Sequence, residues 1–497
     1  MKFKDKTQQS ASLYEILLKC NTVSSAWDQE VTDLITAFNA DFTQWDNHLE
    51  TLQKAERIVK IFTANLENNA DLKTEIEATT TPLWSNFTNP PVETALQDSV
   101  AQKLYFQKIE AGAKARISID EGTKHIGLKL IEYAERDNVP FHLNITDMNF
   151  TRLVLNHADA NKIPALAEYD AASLDGVTKK IFAGSGTPLY KAVKRDAEKY
   201  QIYIETFTKN SGGTGTLDFC LTSIPTEKDA EIDSIPYDEY IKLYFEMCDQ
   251  PWDHMDKAHK KLIAKLNQTT QLRFTNNDGT DLTMELVDHD GSHFTFCNSL
   301  VARNVPGSEV FSAPRRDSVN GTIVAKGRFG KGTGTIENLT MEFNQGKLTS
   351  FTADKGAEYF QEYIDRTDAT RFIGEIGIGT NPHLKQHVKN TLLVEKIGGS
   401  FHVALGGCYQ MTQYGDDPVK VDNGNHDNAN HWDITTMLYG KEGTIEADGE
   451  IIMQDGRFVD PDLAVLNQGW EAVPVNERPD YWKSFSGYAQ NDAPPSP

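Results

Sequence analysis

The sequence predicts an α+β protein: an N-terminal helical and α/β region followed by a β-rich, largely antiparallel domain. Three observations predict it. Up to about residue 115, apolar residues recur at helical spacing, with charges and glutamines between them. From about 116, short alternating apolar runs take turns with helical ones, the pattern of a parallel sheet with crossover helices. Beyond about 266, strand-like runs separated by Asn/Asp-Gly turns dominate. A chain of 497 residues holds two or more domains, at roughly 150 residues each. The expected divisions are a helical extension over 1–115, an α/β domain with helical connector over 116–265, a β-rich domain over 266–477 and a loose tail over 478–497.

The first helices are marked by Leu13, Ile16, Leu17 and Cys20, and by Val31, Leu34, Ile35 and Phe38. Asn89-Pro90-Pro91 breaks that pattern, and a further helical run follows through Val100, Leu104, Phe106 and Ile109. Ala115–Ile119 alternates as a strand. A helix follows across Ile126–Ile131, then a strand at Pro140–Ile145 and a helix at Phe150–His157. Lys180–Pro188 contains Gly-Ser-Gly-Thr but lacks both the Lys-Ser/Thr ending of a P-loop and a full GxGxxG, so no nucleotide site is assigned there. Helices are expected at Tyr237–Cys248 and from His254 to Leu266, with the domain boundary after the second. A hairpin is expected from Leu272 to Leu286, turning at Asn277-Asp278-Gly279. Strands follow at Gly321–Ala325, Ile336–Phe343 and Leu348–Phe351, with one helix at Gly356–Ile364. Arg478–Pro497 ends in Ala-Pro-Pro-Ser-Pro and reads as a loose tail.

The formal net charge of −23 repels phosphate backbones and anionic lipid, so neither nucleic acid nor membrane is an expected partner. It suits solubility, and it suits a cleft that attracts cations. No apolar run reaches about 18 residues, the length of a membrane-spanning helix, and the N-terminus lacks a secretory apolar core. Five cysteines at 20, 220, 248, 297 and 408 show no CxxC spacing. That pattern fits reduced thiols in a cytoplasmic protein and not a thiolate metal site.

Chemistry-bearing residues concentrate between Glu395 and Asp433. His402 lies inside the apolar strand Phe401–Leu405, which glycines bound on both sides. His431 and Asp433 are two positions apart, so an extended segment puts both on one face. Two carboxylates stand out upstream: Glu309, just after the Pro306-Gly-Ser turn, and Glu375, in the glycine-rich Gly374-Glu-Ile-Gly-Ile-Gly379. Imidazole nitrogens and carboxylate oxygens are the ligands zinc, cobalt or manganese take in hydrolytic sites. Singly, each of these residues is more often an ordinary core or surface group; their clustering raises the chemistry above that reading.

Together these segments resemble the thermophilic-type metalloaminopeptidases, the aminopeptidase T / aminopeptidase S family. The matching residues are Pro306–Pro314, Asp317–Thr322, Gly374–Asn381, Glu395–Gly399, His402–Gly406, Tyr409 and His431–Asp433, with Cys220–Thr226 and Tyr240–Cys248 upstream. The resemblance covers about 116–465. Ser308 and Ser312 stand where that family usually has Gly and Thr. The resemblance implies metal ligation by Glu309, Glu375, His402, His431 and Asp433, and an active-site role for Tyr409. Three carboxylates among five ligands suffice for two divalent ions if one, Glu309 or Glu375, bridges. The identity of the metal stays open among zinc, cobalt, manganese and magnesium. Glu375 or Glu395 is expected to move the proton, and Glu395 could instead orient a ligand imidazole. The implied activity is removal of the N-terminal residue from short peptides with a free N-terminus, by a homodimer. The rivals are hydrolysis of another amide or ester, and a non-catalytic binding or scaffold protein.

Overall fold

The computed structural model describes residues 92–485, apart from 93, 107–108, 110–112, 147, 188–195, 211–217, 302, 332–333 and 428–429. The helical extension expected over 1–115 therefore lies mostly outside the described residues, as does the tail from 486 on. Within that extension, the helix Thr94–Phe106 buries Leu96, Val100 and Leu104. Two compact units divide the chain, the first ending at Glu231 and including Pro236–Ile241, the second taking Ile232–Ile235 and everything from Lys242.

In the first unit, β1 (Ala115–Ile119), β2 (Phe141–Ile145), β3 (Lys179–Ser185) and β4 (Asp218–Ile224) form one sheet in the order β2-β1-β3-β4. Its pairings are all parallel, as the alternation of strands and helices predicts. Its first crossover is the helix Lys124–Arg136, which buries Ile126, Leu130 and Ile131 at helical spacing. The Gly-Ser-Gly turn after β3 is closed from within: Asp120 accepts hydrogen bonds from the Ser185 amide and hydroxyl, and Asp229 accepts from the Thr187 amide.

The second unit is built on antiparallel strands. They are β5 (Gln271–Thr275), β6 (Asp281–Glu285), β7 (Cys297–Ser299), β8 (Glu309–Ser312), β9 (Asn320–Lys331), β10 (Gly334–Asn344), β11 (Lys347–Lys355), β12 (Ile373–Gly379) and β13 (Ser400–Gly406). After these come β14 (Gln413–Tyr414), β15 (Asp417–Pro418), β16 (His431–Met437), β17 (Thr444–Ala447), β18 (Glu450–Gln454) and β19 (Arg457–Phe458). An eight-stranded sheet runs β11-β10-β9-β6-β5-β17-β18-β19, and a five-stranded sheet runs β16-β13-β12-β8-β7. The β5–β6 hairpin pairs Leu272 with Met284 and Phe274 with Leu282, all four fully buried. One apolar core joins the two sheets: Phe274 of the larger sheet stacks on Phe401 of the smaller, ring centroids 4.3 Å apart.

The domain boundary differs from the expectation. The helix expected from His254 to Leu266 as the end of the α/β part spans Trp252–Leu266, and its apolar face, Trp252, Met255, Ala258, Leu262 and Leu266, lies in the core of the β-rich unit. Periodicity identifies a helix and its apolar face; it does not say which layer that face covers. Among the described residues no helix is long and apolar enough to cross a membrane.

Candidate metal centre

Strand alternation separates two surfaces of the five-stranded sheet. In β12, β13 and β16 the residues Ile376, Ile378, Phe401, Val403, Trp432 and Ile434 point into the core. Their neighbours, Glu375, His402, His431 and Asp433, therefore share the opposite face. Register lines them up: Glu375 lies across from Ala404, which lies across from Asp433, and His402 lies between Gly377 and Thr435. Gly379 pairs with Glu309 on β8, which brings the fourth strand to the same face. A bulge between Ile373 and Glu375 re-aims the start of β12. Small residues on this face make room. A Cβ at Gly377 would stand 2.2 Å from His402 Cε1, so only glycine accommodates the ring.

The donors form two groups that share Glu375. His402 Nε2 is 3.6 Å from Glu309 Oε2 and 3.5 Å from Glu375 Oε1. His431 Nε2 is 3.2 Å from Glu375 Oε2 and 3.3 Å from Asp433 Oδ1. Within each group the ligand atoms lie within 4.8 Å of one another. Nitrogen and oxygen ligands about 2.0–2.2 Å from a common ion stand at such separations. Glu309 Oε2, Glu375 Oε2 and His402 Nδ1 are buried without a hydrogen-bond partner. Leaving polar atoms so is costly, and a cation is a fitting partner for the two carboxylate oxygens. His431 Nδ1 is 2.8 Å from the Gly407 carbonyl oxygen. Nδ1 is thus the donor, which leaves Nε2 as the nitrogen that faces the centre and would ligate a cation there. These residues fit divalent cations by donor type, spacing and unmet valence.

The local field favours positive charge. Burial alone would lower the His402 pKa, but the Glu375 hydrogen bond and the Glu309 charge push it up to about 9. His431 is likewise held well above the ordinary range: burial opposes this, and Asp433 and Glu375 outweigh it. Glu375 and Asp433 are pushed down despite burial, Glu375 by the neighbouring imidazoles of His402 and His431, Asp433 by the charge of His431.

A family model described as thermophilic metalloprotease (M29) matches residues 108–458. The chain belongs to this family. Aminopeptidase AmpS of Bacillus subtilis is 26% identical over 234 residues, which are 42% of this chain and 54% of that protein. Aminopeptidase T of Thermus thermophilus is 29% identical over 169 residues, 32% of this chain and 41% of that one. The chain thus spans about half the length of these relatives, or less. Among solved structures, wild-type AmpT from Thermus thermophilus superposes with a TM-score of 0.56 at 21% identity. That match covers 74% of this chain and 99% of AmpT, a likeness of fold.

All five residues singled out as metal ligands in this M29 chain come together. Tyr409 stands at the edge of the centre, 43% exposed, its ring 5.4 Å from that of His431 and 5.6 Å from Phe311. The charge of Glu375, then burial, raises its hydroxyl pKa well above the ordinary value, so the phenol keeps its proton. Glu395 does not orient an imidazole: His431 Nδ1 is engaged by Gly407, and His402 Nδ1 has no partner. Glu395 Oε2 is instead 3.1 Å from Lys396 Nζ, and burial raises its pKa to about 7, partly countered by that ammonium.

Sequence reasoning missed Lys396. It is 1% exposed, and its Nζ reaches Glu309 Oε1 at 2.5 Å as well as Glu395. Burial would lower its pKa, but the Glu309 and Glu395 charges raise it, so the ammonium persists. A lysine beside a glutamate in sequence reads as a solvated pair, and nothing in the local pattern signals its burial. Lys331, whose Nζ donates to the His431 carbonyl oxygen, was missed as well: it lies between Gly330 and Gly332, and the strand that carries it is far from His431 in sequence. A further donor group, Cys408, Asp422 and His426, lies on the loop between β13 and β16. There His426 Nε2 and Asp422 Oδ1 are 2.7 Å apart, a closed hydrogen bond on an exposed loop.

Proposed function

We propose that this chain is a metal-dependent aminopeptidase that removes the N-terminal residue from short peptides, working with two divalent ions per subunit as a homodimer. The observation that carries this reading is the pair of donor groups sharing Glu375 on one sheet face, in an M29 chain whose relatives are named aminopeptidases. In this reading Glu309, His402 and Glu375 would hold one ion, and Glu375, His431 and Asp433 would hold the other, with Glu375 common to both groups. The mixed nitrogen and oxygen donors suit zinc, cobalt, manganese or magnesium. Such ions, when bound, supply Lewis acidity and a nucleophile at neutral pH.

The chain's own residues do the rest. Both carboxylate oxygens of Glu375 face imidazoles, so Glu395, poised near neutrality, carries the proton from the nucleophile towards the leaving amine. Tyr409, kept protonated, donates a hydrogen bond to the developing oxyanion. A free α-amine would bind as a further ligand at the metal-loaded centre, which would restrict cleavage to the first residue.

Hydrolysis of leucine anilide and of N-acetyl-leucine anilide by the metal-loaded protein tests this. Cleavage of the first alone is expected. Equal cleavage of both would overturn the exopeptidase reading and favour a hydrolase of another amide or ester.

A further inference from the structure

Ser308, immediately before Glu309, has φ +117°, a strained conformation that side-chain-bearing residues rarely adopt. The surroundings must hold it there. Ser308 is fully buried, and its carbonyl oxygen accepts the Thr380 amide at 3.0 Å. Its hydroxyl is 2.6 Å from Thr380 Oγ1 and 3.3 Å from His259 Nε2. Thr380 Oγ1 is in turn 2.7 Å from the same His259 nitrogen. His259 is fully buried on the helix Trp252–Leu266.

The direction of the chain of hydrogen bonds can be worked out. Asn298 donates from Nδ2 to Asp256 at 2.8 Å, which turns its Oδ1 towards His259 Nδ1 at 2.7 Å. Nδ1 therefore carries the proton, and Nε2 is an acceptor. The Thr380 hydroxyl donates to Nε2, and the Ser308 hydroxyl donates to Thr380 Oγ1. Each buried polar atom of the relay thus finds its partner. The anchored segment leads directly into β8, whose first residue is Glu309.

We propose that His259 is a positioning residue for Glu309: through Thr380 and Ser308 it fixes the backbone from which Glu309 presents its carboxylate to the metal centre. The inference rests on the reading of Glu309 as a ligand. It makes a distinctive demand, because glycine adopts φ +117° without strain. With glycine at 308, the relay is no longer needed.

The test is cobalt binding to the chelator-stripped full chain by calorimetry, with urea unfolding of the same stripped samples. The proteins are wild type, Glu309→Gln, His259→Leu, Thr380→Val, Ser308→Gly, and Ser308→Gly combined with each of the other two relay substitutions. His259→Leu and Thr380→Val are expected to weaken binding at one of two sites by about 10–100-fold, the usual effect of losing an outer partner. Ser308→Gly alone should bind like wild type and should restore most of the loss in each double variant. Thr380→Val keeps the side-chain volume and carries the test if His259→Leu does not fold. Wild-type affinity in the relay variants, or an equal loss with serine and with glycine at 308, overturns the proposal. Unchanged binding in Glu309→Gln would show instead that Glu309 is no ligand, and would overturn the metal-centre assignment with it.

Discussion

Gly377→Ala is the smallest change that reaches the heart of the centre. The new Cβ would lie 2.2 Å from His402 Cε1 and 2.3 Å from Nε2, whereas ordinary contact begins at 3.4 Å. The ring must therefore retreat by about 1.2 Å. His402 is 1% exposed, with Thr435 in register on its other side, so the retreat displaces packed neighbours. Overpacking of this kind costs about 1–3 kcal/mol. The effect on metal should be larger, because ligand distances tolerate only about 0.2 Å, so a displaced His402 no longer serves as a donor. Gly377 is not among the positive-φ glycines, so alanine's own backbone preferences do not confuse the result. Gly330→Ala, where the nearest atom would be 3.9 Å away, is the matched control. Cobalt titration and urea unfolding of both variants provide the assay. Gly377→Ala should lose at least tenfold in affinity at one site, in line with about 10–100-fold for lesser disturbances, while the control matches wild type. A folded Gly377→Ala protein with wild-type cobalt affinity would refute the argument that glycine at 377 makes room for a ligand imidazole.

Three further outcomes are expected. Lys396→Met leaves Glu309 and Glu395 buried without their ammonium; the stripped protein should lose about 3–5 kcal/mol in urea unfolding, and added zinc should restore more stability than it adds to wild type. Tyr409→Phe should lower the turnover of aminoacyl anilides by about 10²–10³ if the phenol donates to the oxyanion, with zinc affinity unchanged. Burial raises the Glu246 pKa, but hydrogen bonds from His383 at 2.8 Å and Tyr481 at 2.6 Å hold it below its usual 4.5. A depressed carboxyl pKa stabilises the fold above the unfolded value and loses that contribution as pH falls. The stability gap between wild type and Glu246→Gln, measured by urea unfolding, should be full at neutral pH and shrink on acidification below 4.5.

The legible part of this protein is the part that repeats with a short period. Phe401, Val403 and Leu405 alternate with His402 and Ala404, and that period of two already puts the imidazole on the face away from the core. His431 and Asp433 obey the same rule. The donors from separate strands were legible only through resemblance, because no spacing within one segment predicts that Glu309 pairs across from Gly379. What stayed hidden depends on tertiary burial. The helix Trp252–Leu266 was recognised as a helix but assigned to the wrong layer. Lys396 is fully buried against two carboxylates, which its place beside Glu395 in the sequence does not signal. The backbone conformation of Ser308 was signalled only by the glycine that the family usually has at that position, and the His259 relay joins residues from four separated stretches of the chain.

The central claim is that two divalent ions on this sheet face drive removal of the first residue of a peptide. Stepwise addition of cobalt to the stripped protein, following leucine anilide hydrolysis in wild type and His431→Ala, tests it most directly. The account predicts no activity without metal, a rise that levels off at two equivalents in wild type, and none in the folded variant. Activity that survives chelation, a plateau at one equivalent, or a fully active His431→Ala would contradict it.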